Sequence, residues 1–248
     1  MSENKFNMTK KDFDKRNRRS FLMTGLAALA GIFGIDQIIN AQPEAGLSSP
    51  LRAVLKMNEK LWAGLNNPNR KNSATESPAN GTPARINGDI DLEEPVDLAN
   101  WNLEYESPTL TKTFSLNDLA KFPRVSSSAE FRCVEGWSMP LGYEGISFSE
   151  FLKAIDPESL KLPYVGLETP DAGYYVGLDM ASMLHPQTVL ADRMNGAPLG
   201  AEHGEPFRLM IPIKYGIKNL KRVGKIFIAS ERPRDYWAEN GYDWFSGH

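Results

Sequence analysis

Apolar residues recur at intervals of three and four along the first ordered-looking stretch: Leu51, Val54, Leu55, Leu61, Trp62 and Leu65. That spacing predicts a helix, capped by Ser49 with Pro50 in its first turn, packed against the domain that follows. Residues 66–82, rich in Asn, Pro and Ser, read as a linker or long surface loop. In the polar cluster 84–89, Asn87-Gly88 suits a turn. The period then changes to two. Residues 101–106 alternate as a strand, and 109–114 continue it less cleanly. Ser115 and Asp118 have capping-box spacing and open a short helix that Pro123 ends. Residues 124–132 read as a strand, and 136–145, rich in Gly, Ser and Pro, as a loop. A second capping box, Ser147 to Glu150, opens a helix with Phe148, Phe151, Leu152 and Ile155 on one face. Further strands are predicted at 163–168, 174–178, 188–191, 207–211 and 225–230, with a short helix capped by Asp179 and a tight turn at Asn195-Gly196. Strands and short helices intermix without a βαβ rhythm, so the class is α+β with mixed sheets.

The N-terminus follows a different pattern. A polar, charge-mixed segment ends in Asn17-Arg18-Arg19, and a charge-free, Gly/Ala-diluted apolar run follows from Ser20 to Ile35. Paired arginines before Ser20-Phe21-Leu22 predict a twin-arginine export signal and a periplasmic destination. The run is about 16 residues, short of the roughly 18 to 20 that span a bilayer. Cleavage near Ala41 and retention as an N-terminal membrane anchor both stay open. The expected organisation is a signal over 1–41, helix and linker over 42–83, and one domain over 84–248.

A net charge of −3 with no basic patch argues against nucleic acid as a partner. His185, His203 and His248 are not spaced as a pair, which argues against a Cys/His zinc site. Phosphate-loop and dinucleotide motifs are absent from the sequence. Cys133 is the only cysteine, so no intramolecular disulfide forms. It follows the strand 124–132 and is either a small buried hydrophobe or a reactive thiol. In an oxidising compartment a free thiol is a liability unless something occupies it. The twin-arginine route also carries proteins already folded around a cofactor, which suggests a thiolate bound to a transition metal. Far along the chain, Lys214, Lys218, Lys221 and Arg222 surround Tyr215-Gly216. They form either a solvated surface or, with glycine-exposed amides, an anion cradle. A metal carried on a phosphorylated organic ligand would use both features.

The segment Cys133-Val134-Glu135-Gly136-Trp137-Ser138-Met139 resembles the cysteine segment of the sulfite-oxidase-fold molybdoenzymes, and within them the periplasmic protein-methionine-sulfoxide reductases. The resemblance continues in order through Leu167-Glu168-Thr169, His185-Pro186-Gln187-Thr188, Asn195-Gly196, His203-Gly204-Glu205-Pro206-Phe207-Arg208 and Pro212-Ile213-Lys214-Tyr215-Gly216. It implies Mo-molybdopterin as cofactor, with Cys133 as the catalytic thiolate on molybdenum. By the same resemblance Arg85 and Asn87 would contact the pterin, Thr169 would line the site, and His203 and Arg208 would hold the molybdopterin. Asn219, Leu220 and Lys221 would cradle its phosphate. Sulfite oxidases carry arginines just after the cysteine, where this chain has Trp137 and Ser138, which favours reduction of a sulfoxide such as methionine sulfoxide over sulfite dehydrogenation. No room remains after His248 for the immunoglobulin-like dimerisation domain of the sulfite-oxidising members, so a monomeric catalytic subunit is expected. Electrons would come from a membrane haem subunit or a cytochrome, since no haem-attachment motif occurs. Glu135, Tyr143 and Tyr215 are candidates for shaping the pocket or relaying protons, or are ordinary structural groups. The aromatic, charged tail 231–245 either covers the core or faces a redox partner. The rival from another class is a non-catalytic exported binding module with Cys133 buried and inert.

Overall fold

The computed structural model describes residues 41–44, 46–65, 71–72, 78 and 81–248; all but Ala41 of the export signal read from residues 1–41, and most of the 66–82 linker, lie outside these. The chain divides into two compact units, 1–54 and 55–248. In the first, β1 (Pro43–Glu44) and β2 (Leu47–Ser48) form a small antiparallel hairpin. Helix α1 (Ser49–Leu65) runs across the division. Its apolar stripe does not pack as the spacing predicts. Leu61 and Leu65 are 58% and 64% exposed, whereas Glu59 is buried and paired with Arg232. An ion pair, not the hydrophobic face, holds this part of the helix.

The second unit contains β3 (Asn102–Glu106), β4 (Thr111–Ser115), β5 (Arg124–Arg132), β6 (Ser138–Ser147), β7 (Tyr164–Glu168), β8 (Tyr175–Asp179), β9 (Val189–Met194), β10 (Ala197–Pro198), β11 (Arg208–Met210) and β12 (Lys225–Ala229). One sheet has the order β10-β9-β6-β5, with β11 also paired to β9; the other has the order β4-β3-β12-β7-β8. Strand β12 runs antiparallel to β7 and parallel to β3, so the second sheet is mixed. Short helices α2 (Leu116–Leu119), α3 (Phe148–Ile155), α4 (Met180–Met183) and α5 (Tyr236–Glu239) connect or cover the strands. This is the expected α+β class.

Patterning explains the elements. Leu103 and Tyr105 point inward from β3 while their neighbours stay exposed. Phe148, Phe151 and Leu152 form the buried face of α3, with Phe151 edge-on to Tyr105 and Phe114. Each such side chain contributes about 1.5 to 3 kcal/mol by leaving water. Ser115 and Asp118 form the full capping box of α2. The second predicted box does not form. Ser147 makes no cap bond to the backbone, and Glu150 pairs with Lys153 at 2.8 Å instead.

The largest departure is β6, where a loop was expected over 136–145. Residues 138–147 pair along their length with β5 and continue onto β9. The glycines there serve close approach. A Cβ on Gly145 would lie 2.0 Å from the Leu190 carbonyl oxygen, at a register shift between Glu144 and Gly145.

Candidate active site

Strands β5 and β6 are joined by a tight turn over 133–137. The Cys133 N–H donates to the Trp137 carbonyl at 2.9 Å, and Gly136 N–H donates to the Cys133 carbonyl at 3.1 Å. Gly136 has φ of 85°, a left-handed conformation that costs glycine little. The thiol therefore sits in a rigid hairpin turn rather than at the mouth of a long loop. It is nearly buried yet lines a cavity of about 340 Å³, large enough for an organic cofactor. The Asn87 amide nitrogen lies 3.6 Å from its sulfur.

Of the residues singled out in the sequence, Cys133, Asn87, Arg208, Asn219 and Lys221 line this cavity. Arg208 is buried on β11, with Nη1 and Nη2 donating to the carbonyls of His203 and Asn219. Its Nε has no hydrogen-bond partner among the described residues. Burial pulls its pKa down to about 10. Lys221 donates to the carbonyls of Gly88 and Glu202, each at 2.7 Å. Burial first, and then the Arg208 charge, lower its pKa to about 8. These two neighbouring cations hydrogen-bond to carbonyls, and the Asp89 and Glu202 charges offset Lys221 only in part, so the pair favours an oxyanion beside it. Asn219 shapes the loop, accepting from Ile211 N–H at 2.8 Å and donating to the Tyr215 carbonyl at 3.1 Å.

The other predicted residues stand around the cavity, not on its wall. Arg85 stacks over the Trp137 ring at 4.5 Å. The Thr169 hydroxyl accepts from Tyr174 N–H and donates to the Tyr174 carbonyl, fixing a turn whose Tyr174 does line the cavity. His203 lines a neighbouring hollow, and burial lowers its imidazole pKa. Leu220 is buried in the core, its carbonyl accepting from Leu209 N–H. Glu135 reaches the cavity and accepts a bond from the Trp137 indole at 2.9 Å. Tyr143 lies elsewhere, buried, donating to the Gln187 carbonyl at 3.1 Å.

The basic loop divides into two roles. Lys214 and Lys218 are buried and paired with Asp179 and Asp235, so they are neither solvated nor turned toward an anion. They anchor the C-terminal tail: Lys214 lies over the Phe245 ring and Lys218 near Trp244. The tail in turn contributes Trp237 and Tyr242 to the cavity, stacked edge to face at 5.2 Å. Sequence reading did not place them there; the density of aromatics in the tail was the only signal.

Comparison with known proteins bears on this geometry. The family described as oxidoreductase molybdopterin binding domain matches residues 90–237. A protein of Azospira oryzae, named as a protein-methionine-sulfoxide reductase subunit, is 32% identical over 93% of this chain and 86% of its own length. The protein-methionine-sulfoxide reductase catalytic subunit of Campylobacter jejuni is 29% identical over 90% of this chain and 76% of its own. The sulfane dehydrogenase SoxCD of Paracoccus pantotrophus superposes with a TM-score of 0.50 at 22% identity, covering 56% of this chain and 40% of that one, a likeness of fold. The chain belongs to the oxidoreductase molybdopterin-binding domain family, and it is a molybdenum-dependent oxidoreductase of the sulfite oxidase type that takes a molybdopterin cofactor.

Proposed function

We propose that this chain is the exported catalytic subunit of a methionine-sulfoxide reductase, with the Cys133 thiolate as a ligand of the molybdenum. The observation that carries the reading is the joint lining of one cavity by Cys133 and by the cations Arg208 and Lys221, whose hydrogen bonds go to backbone carbonyls. The chemistry of this donor set fits the cofactor. A thiolate is a soft ligand suited to the metal, and the unpartnered Nε of buried Arg208 suits the phosphate of the pterin.

When bound, the molybdenum centre supplies two-electron oxygen-atom transfer; overall, a sulfoxide, two electrons and two protons become a thioether and water. The chain's own groups orient and polarise. Asn87 offers an amide donor to the sulfur. Glu135, held by the Trp137 indole, is placed to hand a proton into the cavity. Trp137 and Ser138 stand where sulfite oxidases carry arginines, so these two positions give a sulfite dianion no cation of their own. The names of the Azospira and Campylobacter relatives support the sulfoxide as substrate. Export by the twin-arginine route and electron supply from a membrane haem subunit complete the reading.

The test is a pair of assays on the molybdenum-loaded protein: methionine sulfoxide with a reduced dye, and sulfite with an electron acceptor. Turnover with the sulfoxide is expected. Turnover with sulfite alone would overturn the reading.

A further inference from the structure

A second hollow, of about 310 Å³, adjoins the Cys133 cavity: Val134 and Tyr242 line both. Its remaining walls include Trp62, Tyr215, Asp243 and His248. Trp62, Tyr242, Asp243 and His248 lie outside the residues that match the family, so this hollow is built onto the shared domain by α1 and the tail. Its chemistry is specific. Tyr215 packs edge-on against the His248 ring at 5.1 Å, and Trp62 is 39% exposed at the rim. Asp243 places a carboxylate in this hollow and Glu135 another in the inner cavity. Within this hollow an anionic substrate would meet the like charge of Asp243, whereas a neutral sulfoxide would not. Aromatic walls suit the apolar methylene stem of the substrate and the thioether it becomes. Beside the hollow, Met57, Leu61 and Leu65 of α1 are 67%, 58% and 64% exposed, an apolar surface continuous in the helix with Trp62.

Resting on the functional reading above, we propose that this second hollow is the entry for a methionine-sulfoxide side chain carried on a flexible polypeptide. Trp62, Tyr215 and Tyr242 clamp the side chain, and the polypeptide's flanking apolar residues lie on the exposed face of α1.

The experiment uses the full, molybdenum-loaded chain and two substrates: a peptide of about ten residues containing one methionine sulfoxide between leucines, and dimethyl sulfoxide. Trp62→Ala should lower the ratio of kcat/KM for the peptide to that for dimethyl sulfoxide about tenfold, through KM, the size expected when an aromatic contact is lost. Trp62→Phe should restore most of it. Leu61→Ser with Leu65→Ser should lower the same ratio without altering the Mo(V) paramagnetic signal. A ratio shifted less than twofold in Trp62→Ala, with the wild type reducing both substrates, overturns the entry site and leaves the sulfoxide reading intact. A loaded wild type that reduces neither substrate overturns the reading and the entry site together.

Discussion

At the scale of single residues, the cavity is governed by one sulfur and two cations. Cys133 stood out in the sequence as the one cysteine, at the end of the strand 124–132, and the structure puts it on the cavity wall. Arg208 was legible only through family resemblance, whereas Lys221 also belonged to the basic loop read as a possible anion cradle. The features that single them out, charges drawn from water and hydrogen-bonded to carbonyls, depend on strands and loops far apart in the chain. Trp237 and Tyr242 were not legible as cavity residues, since their position follows from how the tail folds back. Arg208→Gln removes the buried cation and should weaken cofactor retention roughly tenfold or more, the worth of a charge-assisted hydrogen bond; molybdenum content after dialysis reads it. Lys221 adds a pH dependence. With its pKa held at about 8 by burial and Arg208, the cofactor-free protein loses this charge as pH rises through 8, so cofactor uptake should fall across that window. Lys221→Arg, which stays charged, should flatten the profile. In the cofactor-free fold the sign reverses for stability. Between about 8 and the ordinary lysine value the unfolded chain binds the extra proton, so this group makes stability rise with pH there. Urea midpoints of apoprotein across that range check it.

At the scale of elements, alternation and capping read correctly where one face of a strand or helix meets the core. Examples are β3, the capping box of α2 and the buried face of α3. They failed where crowding overrides propensity. Strand β6 looked like a loop because Gly142 and Gly145 imitate turn residues, yet at Gly145 the missing side chain is what lets β9 approach. Gly145→Ala should therefore destabilise the fold by about 3 kcal/mol through overpacking, seen as a lower urea midpoint. Were the segment a loop, the change would be nearly neutral. The basic loop misled in the other direction. Lysines at 214 and 218 suggested a solvated or anion-binding face, but each is buried against an aspartate. Lys218→Met leaves Asp235 buried and unpaired and should cost about 3 to 5 kcal/mol. Because Asp235 also caps α5, the same change should loosen the tail that brings Trp237 and Tyr242 to the cavity.

At the scale of the whole molecule, the family domain supplies most of the Cys133 cavity, and segments outside it add Asn87 and Tyr242 there and Trp62 in the hollow beside it. Neither α1 nor the tail beyond 237 falls within the matched region, yet both reach the hollow beside Cys133. Fold class was legible from the irregular mixture of strands and short helices. The joining of two chain ends at one site was not, because no local pattern encodes it. Export belongs to this scale too. Arg18→Lys with Arg19→Lys should move the protein from the periplasmic to the cytoplasmic fraction of the cell without changing its fold; equal periplasmic yield would remove the export signal.

The proposed bond between Cys133 and molybdenum is the claim on which the mechanistic reading of this chain rests. X-ray absorption at the molybdenum edge, comparing the loaded protein with Cys133→Ser loaded in the same host, tests it directly. A protein thiolate on the metal predicts one sulfur neighbour fewer in the variant, with activity abolished and the urea midpoint little changed. An unchanged sulfur shell, with activity retained, would contradict it.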